Sequence, residues 1–305
     1  MTSNSAPILV VGATGALGGV VARKLLAAGF AVRALGRNRE KLAALRASGA
    51  EVVAADLLDG EAVSQACAGA SQVFTSANNV MGTGTTSPNR VDLAAHRNLC
   101  DAAARHGVMR LVYVSGRAMG GRDSPVDFFR LKHQIEEMVR QSRVPFVLFR
   151  PTAFMETWVD MMCDGIRAKG VAVLFGDGRQ VSNFIAIEDA AEFALQVLRR
   201  EEIVNDVVEV GGPSNVSFAH VAELVERQFG VKVGRRRIPV AVLRAGSLLL
   251  RPFNEVVSRQ MSLGYFVATR DGSFPEWQRA AERFGVSPMT VDAFVARRFS
   301  GPAQG

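Results

Sequence analysis

Short runs of apolar, often β-branched residues alternate with longer amphipathic stretches through the first half of the chain. The runs predict strands that are covered on both faces, because they lack a regular polar alternation. They are Ile8–Val11, Ala31–Leu35, Glu51–Ala54, Gln72–Thr75, Leu111–Ser115 and Phe146–Phe149. The stretches between them predict helices at Ala16–Ala28, Arg39–Ser48, Gly60–Cys67, Asn89–His106 and Ser124–Gln141. This alternation predicts an α/β fold of the Rossmann type, with a doubly wound parallel sheet.

The second half of the chain is richer in helical patterns. The predicted helices are Thr157–Lys169, Glu188–Arg200, Phe218–Phe229 and a helix-rich section, Pro239–Phe299, with a break near Gly264. We therefore expect a nucleotide-binding domain of residues 1–150 and a smaller, helix-rich C-terminal substrate lobe of residues 151–305. A late strand, Val207–Val210, is a candidate to return to the main sheet.

The net charge of +7 raises the question of an anionic partner. Basic residues are scattered along the chain, however, and their one run is Arg235–Arg237, which a solvated face explains. The sequence has no zinc-finger spacing and no ladder of aromatic residues for base stacking. We therefore expect no nucleic-acid partner.

Cysteine spacing and the apolar segments bear on the compartment. Cys67, Cys100 and Cys163 lie far apart, which argues against a disulfide framework or a zinc site and fits a reducing environment. Val240–Leu250 is apolar, but it is too short to span a bilayer and contains Arg244. The N-terminus has no basic segment typical of a signal peptide. We expect a cytoplasmic protein without a membrane span.

A glycine-rich turn follows the first predicted strand and opens the first predicted helix, at Gly12-Ala13-Thr14-Gly15-Ala16-Leu17-Gly18. Gly12 would permit a tight turn, Gly15 a close approach of the backbone to a pyrophosphate, and Gly18 close packing of helix on strand. The free N–H groups and the dipole of the helix N-terminus favour phosphate. This position between strand and helix predicts a dinucleotide-binding site.

The end of the second strand indicates which dinucleotide is bound. A site for NAD usually has an acidic residue there to hold the ribose 2′-hydroxyl. This chain has Arg37 instead, with no carboxylate before Glu40, and Arg33 or Arg39 could assist it. A guanidinium can donate two parallel hydrogen bonds to a 2′-phosphate. The pattern favours NADP(H), and the alternative is an arginine that simply faces solvent.

Asp56 follows the third predicted strand, in Ala55-Asp56-Leu57-Leu58-Asp59. A carboxylate at this place could accept a hydrogen bond from an adenine amino group. It could equally cap the next helix. The local pattern leaves both interpretations open.

These motifs together resemble the atypical short-chain dehydrogenase/reductases, and within them the NmrA-like group of NAD(P)H-binding sensors, quinone-type reductases and accessory subunits. Further matches are Leu111–Ser115, Lys132 and Glu136, Leu148–Phe154, Phe184–Ala191 and Val210–Pro213. The resemblance covers most of residues 7–240. It implies the fold and the cofactor and does not specify a substrate.

The resemblance also implies roles for particular residues. At the pyrophosphate it places Gly12, Thr14, Gly15, Leu17 and Gly18. Arg37 would hold the 2′-phosphate, and the adenine would be bordered by Asp56 and Leu57. The side between adenine and ribose would be lined by Ser76, Ala77 and Asn78. Lys132 would bond the nicotinamide ribose, and the nicotinamide itself would lie beside Thr152 and Phe154.

Many short-chain dehydrogenases use a tyrosine four residues before the lysine to protonate the carbonyl oxygen. Phe128 stands at that position, on the same helix face as Lys132, and Ser124 is predicted to cap the helix. The chain has two tyrosines: Tyr113 is predicted to be core, and Tyr265 lies far along the sequence. Ketone reduction by the tyrosine route is therefore not expected.

Two functions remain open at this point. The first is an NADPH-dependent reductase acting on a quinone, azo or activated-alkene acceptor, with Lys132 and Ser115 as the candidate catalytic residues. The second is an NADP(H)-binding redox sensor without turnover, which would have a protein partner. A group of bulky residues after Pro151 suggests a lobe that could cover an aromatic small-molecule substrate, although such residues at helical spacing more often form core. They are Phe154, Met155, Trp158, Met161 and Met162.

Overall fold

The computed structural model describes residues 6–79, 87–117 and 121–300. Its strands are β1 Ile8–Val11, β2 Val32–Gly36, β3 Glu51–Ala54, β4 Gln72–Thr75, β5 Arg110–Val114, β6 Phe146–Pro151, β7 Ala153–Phe154, β8 Val171–Phe175, β9 Val181–Ile185, β10 Asp206–Val210, β11 Ser214–Ser217 and β12 Gly234–Ile238. Its α-helices are α1 Ala16–Ala27, α2 Arg39–Ala47, α3 Gly60–Cys67, α4 Pro88–Arg105, α5 Asp127–Gln141, α6 Met155–Lys169, α7 Ile187–Arg199, α8 Phe218–Phe229, α9 Val240–Leu249, α10 Glu255–Thr269, α11 Trp277–Phe284 and α12 Val291–Ser300.

The described residues divide into two compact units. The first contains those up to residue 124 together with 128–150 and 190–209, and the second contains 125–127, 151–189 and 210–300. The first unit therefore recovers a segment from the later part of the chain. That segment includes most of β10, the strand that contains Val207–Val210.

A seven-stranded sheet with the order β10-β6-β5-β4-β1-β2-β3 forms the centre of the first unit. The pairs from β3 to β6 are parallel, and β1 pairs with both β2 and β4. The strand order reverses beside β1, which is the point at which doubly wound sheets bind ligands at their carboxyl ends. The prediction of a Rossmann-type α/β fold is confirmed.

Packing explains why these segments become strands. β1 is buried along its whole length, as are β4 and β5, because helices cover the sheet. Buried polar side chains connect this sheet to the end of α7. Gln72 Nε2 donates to the carbonyl of Leu198, and the buried guanidinium of Arg110 donates to Gln72 Oε1 and to the carbonyls of four later residues. These carbonyls belong to Val197, Leu198, Arg200 and Ile203.

The second unit contains two small sheets among its helices. One has the order β11-β9-β7, with β9 antiparallel to β11, and the other is the parallel pair β12-β8. Their core includes edge-to-face aromatic contacts of Phe218 with Trp158, Phe175 and Phe184, at centroid distances of 5.7–6.0 Å. These strands were not predicted, whereas the helix-rich character of the region was.

Two local predictions are wrong. The predicted break near Gly264 does not occur, because α10 runs through that residue. A Cβ at Gly264 would lie 2.9 Å from the Phe175 ring, so the glycine permits close packing rather than ending the helix. α5 begins at Asp127, three residues after the predicted cap Ser124.

Within the described ranges, no helix is long and apolar enough to cross a membrane.

Candidate functional site

The turn between β1 and α1 is tightly packed. Gly12 has φ +79°, a left-handed conformation that favours glycine, and its N–H donates to the carbonyl of Leu35 at 3.0 Å. A Cβ at Gly18 would lie 2.3 Å from Gly12 O and 2.8 Å from Ser76 Oγ. Any side chain at Gly18 would therefore force α1 away from the turn and from the loop after β4.

The N-terminal amides of α1 are available to a ligand. Gly19 N–H is the first to donate within the helix, to Gly15 O at 3.0 Å, so the preceding N–H groups have no helical acceptor. Gly15 is exposed, and Thr14 is half-buried. The side chain of Leu17 is buried in the core, so only its backbone can meet a phosphate.

Gly36 belongs to this turn and was not predicted. It ends β2, and a Cβ there would lie 2.6 Å from Thr14 Cγ2. The glycine therefore admits the Thr14 side chain at the carboxyl edge of the sheet. In the sequence, its position directly before Arg37 could have indicated that it belongs to the cofactor site.

Arg37 and Asp56 lie near each other after the ends of β2 and β3. Their side chains are 65% and 47% exposed, and Arg37 Nη1 is 3.8 Å from Asp56 Oδ2. An ion pair this exposed contributes little stability, so the guanidinium is free to turn toward an anion. Arg33 is engaged elsewhere, because its guanidinium donates to the carbonyls of Ala66 and Ala68.

The capping interpretation of Asp56 is wrong. Asp59 caps α3 by accepting hydrogen bonds from the N–H groups of Glu61 and Ala62. Asp56 Oδ1 instead accepts from Leu58 N–H at 2.9 Å, a local turn that holds the carboxylate at the strand end. Its other oxygen faces Arg37.

The loop after β4 lies beside the glycine turn. Ser76 N–H donates to Val11 O, and a Cβ at Gly12 would lie 3.0 Å from Ala77 N. Asn78 is exposed, and its side-chain amide donates to Ser76 O at 3.4 Å. All three predicted residues of this loop therefore lie at the same edge of the sheet as the turn.

Lys132 is a buried amine at the end of β5. Its side chain is 6% exposed, and Nζ donates to Val114 O at 3.0 Å. Nζ also lies 5.0 Å from the centre of the Tyr113 ring and 5.7 Å from that of Phe128. Burial lowers the pKa of Lys132 to about 8. Phe128 is half-buried and adjacent to the lysine, as the helix register predicts.

Ser115 and Glu136 lie next to this lysine in a charged network. Burial alone would raise the pKa of the fully buried Glu136, but the hydrogen bonds and the charge of Arg150 lower it. Arg150 is bidentate, with Nε 2.8 Å and Nη2 2.6 Å from the Glu136 oxygens. Its Nη1 lies 3.4 Å from Glu209 on β10. The network fixes the strand ends around Ser115.

A buried polar group on α4 was missed by the sequence analysis. Asp92 accepts from Asn79 N–H at 3.1 Å, and its charge acts to raise the pKa of Lys132. His96 Nδ1 lies 2.7 Å from the Asp92 carbonyl, and its ring meets Tyr113 edge-on. Burial lowers the pKa of His96 to about 4, so this ring is neutral. In the sequence, the spacing of Asp92 and His96, four residues apart in a predicted helix, could have indicated that both lie on one face.

Thr152 and Phe154 belong to the second unit. Thr152 Oγ1 donates to Asn183 Oδ1 at 2.9 Å, and Asn183 also donates to the Gly212 carbonyl. Phe154 precedes α6 and is half-buried. Their assignment to the nicotinamide stays a prediction.

The bulky residues of α6 divide between core and surface. Met155 and Met162 are buried in the core of the second unit, and Trp158 packs on its aromatic cluster. Met161 is 48% exposed on the other face of the helix. This arrangement favours the core interpretation for most of these bulky residues.

Among the described residues, no group of three histidine, cysteine or acidic side chains could hold a metal ion.

Comparison with known proteins decides the family. The profile of the NmrA-like family matches residues 4–295. The chain belongs to the NmrA-like family.

Two relatives similar in sequence to this NmrA-like protein have names that describe different roles. The NAD(P)H azoreductase of Xenophilus azovorans is 31% identical over 224 residues, which cover 73% of this chain and 74% of the relative. The photosystem II assembly factor Ycf39 of Cyanophora paradoxa is 28% identical over 236 residues, covering 77% of this chain and 73% of the relative.

A solved structure agrees with the fold of this NmrA-like protein. The NADPH-dependent quinone oxidoreductase QOR2 of Escherichia coli, in complex with NADPH, superposes with a TM-score of 0.79. The match covers 96% of this chain and 99% of that structure, at 22% identity. At this identity the likeness concerns the fold alone.

Proposed function

We propose that this chain is an NADP(H)-dependent reductase that delivers hydride to a quinone, azo or activated-alkene acceptor. The observation that carries the proposal is the glycine turn, with its open helix N-terminus, next to the exposed Arg37. The residues present fit the cofactor, because a side chain at Gly18 would fill the space that the turn needs. The relative named as an NAD(P)H azoreductase supports the same class of reaction.

In this proposal the first unit binds most of the dinucleotide. The amides of α1 and the turn from Gly12 to Gly18 hold the pyrophosphate, and Arg37 pairs with the 2′-phosphate. Asp56 and Leu57 border the adenine. The loop Ser76–Asn78 lines the side between adenine and ribose.

The nicotinamide end of the proposed site has an apolar and a cationic component. When bound, NADPH supplies a hydride. Lys132 holds the ribose hydroxyls, Ser115 donates to an oxygen of the acceptor, and Thr152 and Phe154 border the ring. Phe128 has no proton to donate, so acceptors that delocalise the incoming charge are favoured over simple ketones.

Titration with both nicotinamide cofactors tests the cofactor assignment. NADPH should bind more tightly than NADH by about 1.5–3 kcal/mol, the contribution of one charged hydrogen-bonded contact. Arg37→Ala should remove this preference. Arg46→Ala, at an exposed position on the neighbouring helix α2, should retain it. Equal affinities in the parent protein would contradict the proposal.

Turnover is tested separately, by following NADPH oxidation with quinones, azo dyes and enones. The parent protein should reduce at least one of them, and Lys132→Ala should weaken that activity. Phe128 and the relationship to an assembly factor favour a second candidate, an NADP(H)-binding regulator without turnover. Tight NADPH binding with no acceptor reduced, and cofactor-dependent capture of a protein partner, would favour the regulator.

A further inference from the structure

Helix α9 in the second unit packs against α10 through one face only. Leu243 is buried on this face, and a Cβ at Gly246 would lie 3.1 Å from Met261 Cγ. Ser258 Oγ donates to Ser247 O at 2.7 Å. The inner face of α9 is therefore fully used by the contact with α10.

The outer face of α9 is apolar and exposed. Val242, Leu248 and Leu249 of this helix, together with Phe253 after it, are called the α9 apolar surface. Leu248 is 67% exposed, Leu249 70% and Phe253 85%, the highest values among large hydrophobic side chains of the described residues. Large apolar side chains exposed this strongly within one short segment favour a binding surface over a solvated helix.

The segment that contains this surface is basic. Between residues 235 and 254 the sequence contains five arginines and no acidic residue. Arg244 is exposed on α9 itself, and Arg251 stands between Leu250 and Phe253. Arg251 Nη2 lies 3.8 Å from Asp127 Oδ2, a long separation for an ion pair, and its own side chain is 66% exposed. A partner for this region must therefore accept both apolar side chains and cations.

We propose that the α9 apolar surface docks on a membrane that contains anionic lipids. Leu248, Leu249 and Phe253 enter the region between headgroups and acyl chains, and Arg244 and Arg251 contact lipid phosphates. α9 has ten residues and is about 15 Å long, so it lies along the interface rather than across the bilayer. The long arginine stems allow the cationic groups to stay at headgroup level while the neighbouring side chains insert.

A second copy of this chain is a poorer occupant. A symmetric contact would place the same basic segment of both copies side by side, with no acidic residue from that segment to pair them. A lipid layer with anionic headgroups needs no such pairing.

Cosedimentation of the full chain with lipid vesicles tests the proposal. One vesicle is phosphatidylcholine alone, and the other contains equal parts of phosphatidylcholine and phosphatidylglycerol. We expect binding to the mixed vesicle that weakens with added salt, and much weaker binding to phosphatidylcholine. Leu249→Ser should reduce the affinity roughly tenfold through lost apolar burial. Arg244→Gln should reduce it about fivefold.

Two matched variants and two further measurements complete the test. Met109→Ser removes an exposed apolar side chain of the first unit, and Arg46→Gln an exposed arginine there, so both should bind like the parent. Emission from Phe253→Trp should move to shorter wavelength when mixed vesicles are added. Absence of binding at low salt, or equal binding to both vesicles, would overturn the proposal. So would a dimer in sedimentation equilibrium that Leu249→Ser dissociates, because the surface would then belong to a second copy.

Discussion

Lys132→Met replaces a buried ammonium group by an apolar side chain of similar length. Burial lowers the pKa of Lys132 from 10.5 to about 8, which costs the charged folded state about 3 kcal/mol. Methionine removes that cost and gives up the hydrogen bond to Val114 O, worth about 1 kcal/mol for a neutral donor. We therefore expect the variant to be more stable by about 2 kcal/mol at pH 7, with a melting temperature roughly 4 °C higher.

The pH dependence of stability tests the same prediction independently. Because the folded pKa lies below the unfolded one, the unfolded chain holds a proton that the folded chain has released between pH 8 and about 10.4. Stability of the parent should therefore rise through this window, relative to a protein without the group. Lys132→Met should lack this component of the rise.

Thermal unfolding of both proteins across this pH range provides the measurement. Lys41→Met, at an exposed position of α2, is the matched control and should change stability by less than about 0.5 kcal/mol. NADPH should raise the melting temperature of the parent more than that of Lys132→Met, if the lysine binds the ribose. A variant less stable than the parent at pH 7, with the parent's pH profile, would refute the reasoning.

Three further changes test other parts of the site. Gly18→Ala should abolish NADPH binding in a fluorescence titration, because its Cβ would lie 2.3 Å from a carbonyl oxygen of the turn; unchanged affinity would show that the turn can open. Phe128→Tyr adds a proton donor and should raise the rate with simple carbonyls while altering quinone reduction little; a rate that stays the same would place this ring away from the reacting atoms. Glu136→Gln removes the buried carboxylate that pairs with half-buried Arg150 and should cost about 3 kcal/mol in urea unfolding. Glu137→Gln, in an exposed pair on the same helix, should cost under about 1 kcal/mol, and similar losses for both would contradict this account.

The first unit was predictable because its signals are local. The apolar run of β1, the glycines after it, and the arginine at the end of β2 where NAD sites have an acid all lie within one strand–helix–strand segment. The α3 bounds agree with the predicted Gly60–Cys67, and α8 agrees with Phe218–Phe229. Membership of the NmrA-like family is likewise confirmed.

What the sequence did not reveal depends on contacts between distant segments. β12 contains Arg235–Arg237, which has the composition of a solvated charge run, and it becomes a strand by pairing with β8. Gly264 interrupts a helical pattern locally, yet the Phe175 ring that needs its small size is far away in sequence. Asp92 joins the lysine environment only because α4 is packed on the sheet. No window of neighbouring residues contains these relations.

The contacts of Arg110 determine which fragments of the chain can fold and when folding can finish during synthesis. Its guanidinium is already buried in the sheet, but its carbonyl acceptors lie at residues 197–203. A fragment ending at residue 150 would contain the arginine without those acceptors and would leave a charged donor set facing apolar surroundings. On the ribosome, the same group has only the Gln72 acceptor until some fifty further residues have emerged, including all of 151–189, which belong to the second unit. Soluble expression of such a fragment should therefore fail where a fragment that extends past residue 209 succeeds.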